Sequence, residues 1–125
     1  MKGFTILVVD DDRVIQKLLS VNFEMEGYRV VTASDGLDGL AQVEAVNPDI
    51  ILLDVMMPRM DGLTVARKLK SDPSTKGIPI VLLSAKAQST DIQLGLEAGA
   101  EDYITKPFDP LELLDKVAAL IGGAG

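Results

Sequence analysis

No cysteine and no histidine occur among the 125 residues. Disulfides and thiolate metal sites are thereby excluded, and a reducing compartment is compatible with the chain. Imidazole is lost both as a general base and as a metal ligand, so any metal site must be built from oxygen. Long apolar runs are missing too. Met1-Lys2-Gly3-Phe4 leads into Thr5-Ile6-Leu7-Val8-Val9, which stops at Asp10. That run is too short for the apolar region of a signal peptide or for a membrane span. Positive charge is in deficit, with 12 Lys and Arg against 19 Asp and Glu. The net charge of −7 works against nonspecific binding to nucleic acid or to anionic membranes. The expectation is a soluble cytoplasmic domain with no direct nucleic-acid or membrane partner.

What is present suits a single globular domain. Apolar residues make up 47% of the chain and charged residues 25%, a globular and not a disordered balance. Strands are expected over Thr5–Val9, Arg29–Ala33, Ile50–Leu53, Ile80–Leu83 and Tyr103–Thr105. The first, third and fourth are apolar throughout, as parallel strands buried on both faces must be, whereas the mixed fifth suits an edge. Helical spacing fills the gaps, with stripes of Val14, Leu18, Val21 and Met25, of Leu37, Leu40, Ala41 and Ala45, of Leu63, Ala66 and Leu69, and of Leu111, Leu114, Ala118 and Ile121. On the last helix, Leu113, Val117 and Leu120 lie off the stripe and suggest an apolar surface patch, with a broad buried face as the plainer explanation. Ile92, Leu94 and Leu96 are spaced as readily for a strand. A helix is nevertheless expected there, capped by Ser89 or Thr90 and ended by Gly99. Strands alternating with helices predict an α/β fold, a doubly wound five-stranded parallel (βα)5 sheet with right-handed crossovers. The domain is expected over residues 1–121, with Gly122-Gly123-Ala124-Gly125 as a flexible tail.

The strand ends carry the chemistry. Strand one runs into Asp10-Asp11, strand three into Asp54, strand four into Ser84, and strand five into Lys106-Pro107. In open α/β sheets, ligands gather at the carboxyl edge of the strands. If strands one and three are neighbours, as in the flavodoxin-like order 2-1-3-4-5, Asp10, Asp11 and Asp54 come close together. Clustered carboxylates repel and raise one another's pKa, and a divalent cation relieves that. An oxygen-only donor set needing few protein ligands points to Mg²⁺. One carboxylate could then act as nucleophile toward a phosphoryl group, with Lys106 as a second cation and Ser84 as a hydroxyl donor. Asp12 reads as a helix cap. Taken singly, Asp54, Ser84 and Lys106 would each be ordinary surface residues, but the joint pattern at four strand ends favours a site.

These motifs resemble the receiver domain of two-component response regulators, over Phe4 to Ile121. Val8-Val9-Asp10-Asp11-Asp12 resembles the family's acidic pair, and Leu53-Asp54-Val55-Met56-Met57-Pro58-Arg59-Met60-Asp61-Gly62 its phosphorylation motif. Leu83-Ser84-Ala85 matches the switch hydroxyl, and the segment from Gly99 through Lys106-Pro107-Phe108 the lysine motif. The resemblance implies that Asp54 accepts a phosphoryl group from a histidine kinase or histidine phosphotransfer protein, with the domain catalysing its own phosphorylation and dephosphorylation. It implies Mg²⁺ bound by Asp11, Asp54 and the Met56 carbonyl, with Asp10 acting mainly through water. Lys106 would contact the phosphoryl oxygens, Ser84 would swing toward one of them, and Tyr103 would move with Ser84. Lys106-Pro107 would be a cis peptide. Met56 and Lys86 fall where the family tunes phosphoryl lifetime.

The expected protein is thus a phosphorylation-activated switch that alters its helix 4–strand 5–helix 5 surface. That surface would be read by a downstream protein or a fused output domain, the chain being a monomer or a weak phosphorylation-dependent dimer. Two other classes share parts of the pattern. A flavodoxin-like electron carrier would need a first loop that cradles phosphate, where Asp10-Asp11-Asp12 repels it. An aspartyl-phosphate phosphatase of the haloacid dehalogenase kind typically has a second acid two residues after its nucleophile, and neither Asp10-Asp11-Asp12 nor Asp54-Val55-Met56 sits in a comparable full motif set.

Overall fold

The structure is a computed structural model that describes residues 3–121; the tail expected over residues 122–125 lies outside the described residues. Five strands, β1 (Thr5–Val9), β2 (Arg29–Ala33), β3 (Ile50–Asp54), β4 (Ile80–Ser84) and β5 (Asp102–Thr105), alternate with five helices. These are α1 (Arg13–Met25), α2 (Gly36–Val46), α3 (Gly62–Ser71), α4 (Ser89–Glu97) and α5 (Pro110–Ile121). All strand pairs are parallel and the sheet order is β2-β1-β3-β4-β5. The doubly wound, flavodoxin-like (βα)5 architecture read from the sequence is therefore the observed one. β3 and β4 each run one residue further than expected, so Asp54 and Ser84 are the last residues of strands instead of the first of loops.

Burial on both faces explains the uninterrupted apolar runs. Leu7, Val9, Ile51, Leu53, Ile80 and Leu82 face a core completed by Val43 of α2 and by Val65, Ala66 and Leu69 of α3. The alternate residues Ile6, Val8, Ile50, Leu52, Val81 and Leu83 face the opposite core, with Leu19 and Phe23 of α1 and Leu113 and Val117 of α5. Period-two side-chain alternation thus feeds two cores from one strand, and polar residues in the central strands are confined to their ends, Thr5, Asp54 and Ser84. Both sheet edges, β2 and β5, carry the polar residues.

Helix ends follow short-range chemistry. Asp12 caps α1, accepting from the Val14 and Ile15 amides at 2.8 and 3.4 Å. Asp35 and Asp61 do the same for α2 and α3. α4 is a helix as expected, ended by Gly99 at φ +104°, but its cap is not Ser89 or Thr90. Gln88 occupies the cap position, and its amide donates to Asp91 Oδ2 at 3.3 Å. The acid three residues on reaches back and accepts from the cap N–H, the reciprocal half of a capping box.

Helix faces are rotated from expectation. On α1 the stripe Val14, Leu18, Val21 and Met25 points outward, with Val14 75% and Met25 78% exposed, and the buried side is Leu19 and Phe23. Both sides have apolar residues at helical spacing, and the one holding the large Phe23 ring, set edge-on to Tyr28 at 5.6 Å, removes more area from water. On α5, Leu111 is 65% exposed whereas Leu113 and Val117 are the fully buried pair. The suggested Leu113–Val117–Leu120 surface patch is therefore absent: Leu120 also packs against the core. On α2, Leu37 of the expected stripe is exposed and Val43 is buried in its place.

Candidate functional site

The carboxyl edge of β1, β3 and β4 converges on a group of charges. Asp10 follows β1 directly and is completely buried. Its amide donates to the Ala33 carbonyl at 3.0 Å, and its own carbonyl accepts from Gln16 Nε2 at 2.5 Å. One Asp10 carboxylate oxygen accepts from the Asp12 amide at 2.9 Å, and the other from Lys106 Nζ at 2.8 Å. Asp54, at the end of β3, is 4% exposed. Its Oδ1 accepts from the Met56 amide at 3.3 Å and lies 3.4 Å from the same Lys106 ammonium. Asp11 is exposed beside them, and the three carboxylates offer oxygens that all lie within 4.8 Å of one another.

Burial, and after it the charge of Asp10, pushes the Asp54 carboxyl from an ordinary 3.8 up to about 6. Lys106 and the Met56 amide offset only part of this. For Lys106, burial disfavours the charged form, but the Asp10 hydrogen bond and the charges of Asp10 and Asp54 outweigh it and hold the ammonium above its usual range. The two directions agree physically. Lys106 gives its shorter contact to Asp10, so Asp54 is the group left under-compensated. A three-carboxylate, oxygen-only cluster carrying more negative charge than one ammonium neutralises is suited to a hard divalent cation.

Ser84, fully buried at the end of β4, accepts at Oγ from the Lys86 amide at 3.0 Å. The Lys106 amide donates to the Ser84 carbonyl at 2.8 Å, tying β4 to the lysine loop. The Tyr103 side chain is buried, and its hydroxyl donates to the Lys86 carbonyl at 2.8 Å. The Lys86 backbone therefore connects Ser84 to Tyr103. Met56 is half-exposed next to Asp54, and the Lys106–Pro107 peptide is cis. Thus Asp10, Asp11, Asp54 and Lys106 form one group, with Ser84 buried on the adjacent strand and Tyr103 joined to it through Lys86.

Supporting residues escape a reading of the sequence alone. Gln16 bridges the Asp10 carbonyl and Ser34 Oγ, and nothing in its spacing signals this. Arg59, at φ +68°, reaches Asp35 Oδ2 at 2.6 Å and joins the loop after β3 to the loop after β2. A β-carbon on Gly62 would press on the Asp54 carbonyl and lie 2.9 Å from Val55 Cα, so glycine is required where α3 starts against the end of β3. The Asp61-Gly62 pair at a helix start is the one legible trace of it.

A doubly wound sheet with a lysine-paired aspartate cluster at its carboxyl edge places the chain among flavodoxin-like α/β domains with an acidic edge site. Residues 6–118 match the response regulator receiver domain family, and the chain belongs to it. It is 47% identical over 116 residues to the DNA-binding dual master transcriptional regulator RpaA of Synechocystis, an alignment covering 93% of this chain and 48% of that protein. Identity and coverage are the same for the alkaline phosphatase synthesis transcriptional regulatory protein PhoP of Bacillus subtilis. The chain spans about half the length of the curated relatives it matches. Its fold is similar to that of the chemotaxis protein CheY4 of Vibrio cholerae, with TM-score 0.88 and 32% identity over 94% of this chain and 98% of that one. Family membership separates the chain from the electron-carrier and phosphatase readings. Among the described residues no helix is long and apolar enough to cross a membrane.

Proposed function

We propose that this domain is a phosphorylation-activated switch that takes a phosphoryl group onto Asp54 from a histidine kinase or histidine phosphotransfer protein. The observation that carries the reading is the buried Asp54 carboxylate with Lys106 Nζ 3.4 Å away, inside the acidic cluster. With a pKa of about 6, Asp54 is mostly ionised at neutral pH, as a nucleophile must be. Its Oδ1 is engaged by Met56 and Lys106, while Oδ2 takes no hydrogen bond among the described residues. That oxygen attacks phosphorus in line with the P–N bond of the phosphohistidine donor. The bond's electron pair leaves with the imidazole, and an acyl phosphate remains on Asp54. Lys106 is placed to meet the added negative charge.

Asp11 and Asp54 are the carboxylates proposed to hold Mg²⁺, with the Met56 carbonyl as a further ligand and Asp10 acting through water. The ion, when bound, neutralises charge on the transferring oxygens. Asp11→Ala should weaken Mg²⁺ binding far more than Asp12→Ala, because the Asp12 carboxylate is committed to the α1 cap. Titration followed by amide NMR checks this, and equal losses would count against the ligand assignment.

Acceptance itself is tested by incubation with acetyl phosphate and Mg²⁺. One phosphoryl mass should be added to the protein and none to Asp54→Ala. Undiminished labelling of the variant would reject Asp54 as acceptor.

The switch runs from Asp54 through Ser84 and Tyr103 to the surface of α4, β5 and α5. Phosphoryl oxygens supply a new acceptor for the Ser84 hydroxyl, which in the present geometry accepts from the Lys86 amide. One added hydrogen bond to a charged group contributes about 1.5–3 kcal/mol, enough to shift a two-state population roughly tenfold or more. Ser84→Ala should keep phosphorylation yet lose most of the beryllofluoride-induced NMR shift at Tyr103 and α4. A full parental shift pattern would remove Ser84 from the pathway. The longer transcriptional relatives support an output that is a fused domain or a separate protein downstream, in the cytoplasm. The isolated domain is proposed to be a monomer or a weak dimer formed on phosphorylation.

A further inference from the structure

Helix α4 contains a glycine in its interior, Gly95, and it is the only buried residue of the helix. Glycine is the poorest helix former after proline, so an interior helical glycine calls for a packing reason. Here the reason is specific. A β-carbon at Gly95 would lie 2.7 Å from Cδ2 and 3.2 Å from Cε2 of the Tyr103 ring, and 2.8 Å from Cδ1 of Leu82. Leu82 is completely buried in the central sheet and has nowhere to retreat. Tyr103 lies on the edge strand β5 and keeps 8% of its surface exposed, so of the two neighbours it is the one with room to move.

With the ring seated against Gly95, the Tyr103 hydroxyl reaches the Lys86 carbonyl at 2.8 Å, and the Lys86 amide reaches Ser84 Oγ at 3.0 Å. The missing side chain of Gly95 is therefore the far end of a continuous path from the Ser84 hydroxyl to the middle of α4. We infer that Gly95 is a positioning residue for the switch: its bare backbone forms the seat for the inward Tyr103 ring, and any larger residue there drives the ring outward and disconnects the loop after β4 from α4. The inference deepens the reading of Ser84 and Tyr103 given above and rests on it for its meaning, but the seat itself can be tested without any phosphoryl group.

Two measurements decide it. The first is a thermal-melting cycle on the unphosphorylated protein. Gly95→Ala should lower the melting temperature of the parent. In a Tyr103→Ala background the same change should lower it much less, because the ring clash is gone and only the Leu82 contact remains. A drop of equal size in both backgrounds would show that the glycine does not accommodate the ring and would overturn the inference. The second is fluorine NMR of fluorotyrosine-labelled protein, which has only two tyrosines, Tyr28 and Tyr103. Tyr28 packs in the opposite core and serves as an internal reference. In Gly95→Ala the Tyr103 signal should move toward the solvent-exposed position and lose most of its response to beryllofluoride, while acetyl phosphate still labels Asp54 to within about twofold of the parent. A parental Tyr103 signal with a parental response would overturn the inference. If acetyl phosphate fails to label the parent, the switch reading fails, and the melting cycle still decides whether Gly95 seats the ring.

Discussion

Asp54→Asn should make the metal-free protein more stable at pH 7, although Asp54 is the proposed centre of its chemistry. The folded-state pKa of about 6 lies above the ordinary 3.8, so the native protein binds the proton more tightly than the unfolded chain does. The stability linked to that proton is fully present below pH 3.8 and is lost as pH rises through about 6. Each tenfold difference in proton affinity between the two states is worth about 1.4 kcal/mol, so by pH 7 the loss amounts to roughly 3 kcal/mol. Asparagine removes the charge while keeping an oxygen for the Met56 amide. Lys106 gives up only its longer, 3.4 Å contact and retains Asp10 at 2.8 Å. Urea unfolding in the presence of a chelator should therefore show a gain of about 2–3 kcal/mol at pH 7 that shrinks toward zero near pH 4. Added Mg²⁺ should narrow the gap by stabilising only the parent. A gain of the same size at both pH values would mean that ionisation of Asp54 is not the cause.

The strands are legible in the sequence because their chemistry leaves no choice: a run such as Ile50-Ile51-Leu52-Leu53, buried on both faces, is apolar at every position. The acidic cluster is legible for a related reason. Strand ends are fixed by the apolar runs before them, so the order of Asp10, Asp54, Ser84 and Lys106 along the chain becomes an order across the sheet edge once the topology is known. Helix orientation is far less determined. α1 offers two apolar sides, and the choice between Met25 and Phe23 rests on ring packing against Tyr28, a contact between separate elements. The same ambiguity affects α5, since Leu111 and Leu113 are chemically equivalent and only the sheet distinguishes them. The roles of Gln16 and Gly95 are three-dimensional throughout. Each depends on how close another backbone or ring comes, and local spacing carries no record of that distance.

Lys106→Met should be among the most damaging single substitutions at the site at neutral pH, and its pH dependence should reveal why. Methionine keeps most of the apolar stem and removes the ammonium. Asp10, with no exposed surface, then loses its 2.8 Å ion pair, and Asp54 loses the cation that holds its pKa down. Removing one partner of a buried ion pair costs about 3–5 kcal/mol, because the remaining charge is stranded away from water. The expected loss at pH 7 without metal is of that order. With the ammonium absent, Asp54 should titrate higher still, so lowering the pH through its folded-state pKa protonates it and recovers part of the stability. Mg²⁺ should recover part of it at pH 7, by placing positive charge among the same carboxylates. Combining Lys106→Met with Asp54→Asn should also cost less than Lys106→Met alone, since one of the two unneutralised acids is gone. Chemical unfolding of the four proteins (parent, two single variants and the double variant) at pH 5 and pH 7 separates these contributions. If Lys106→Met unfolds at the parental denaturant concentration at both pH values, the ammonium does not neutralise the cluster. The charge balance inferred for Asp10, Asp54 and Lys106 would then be wrong.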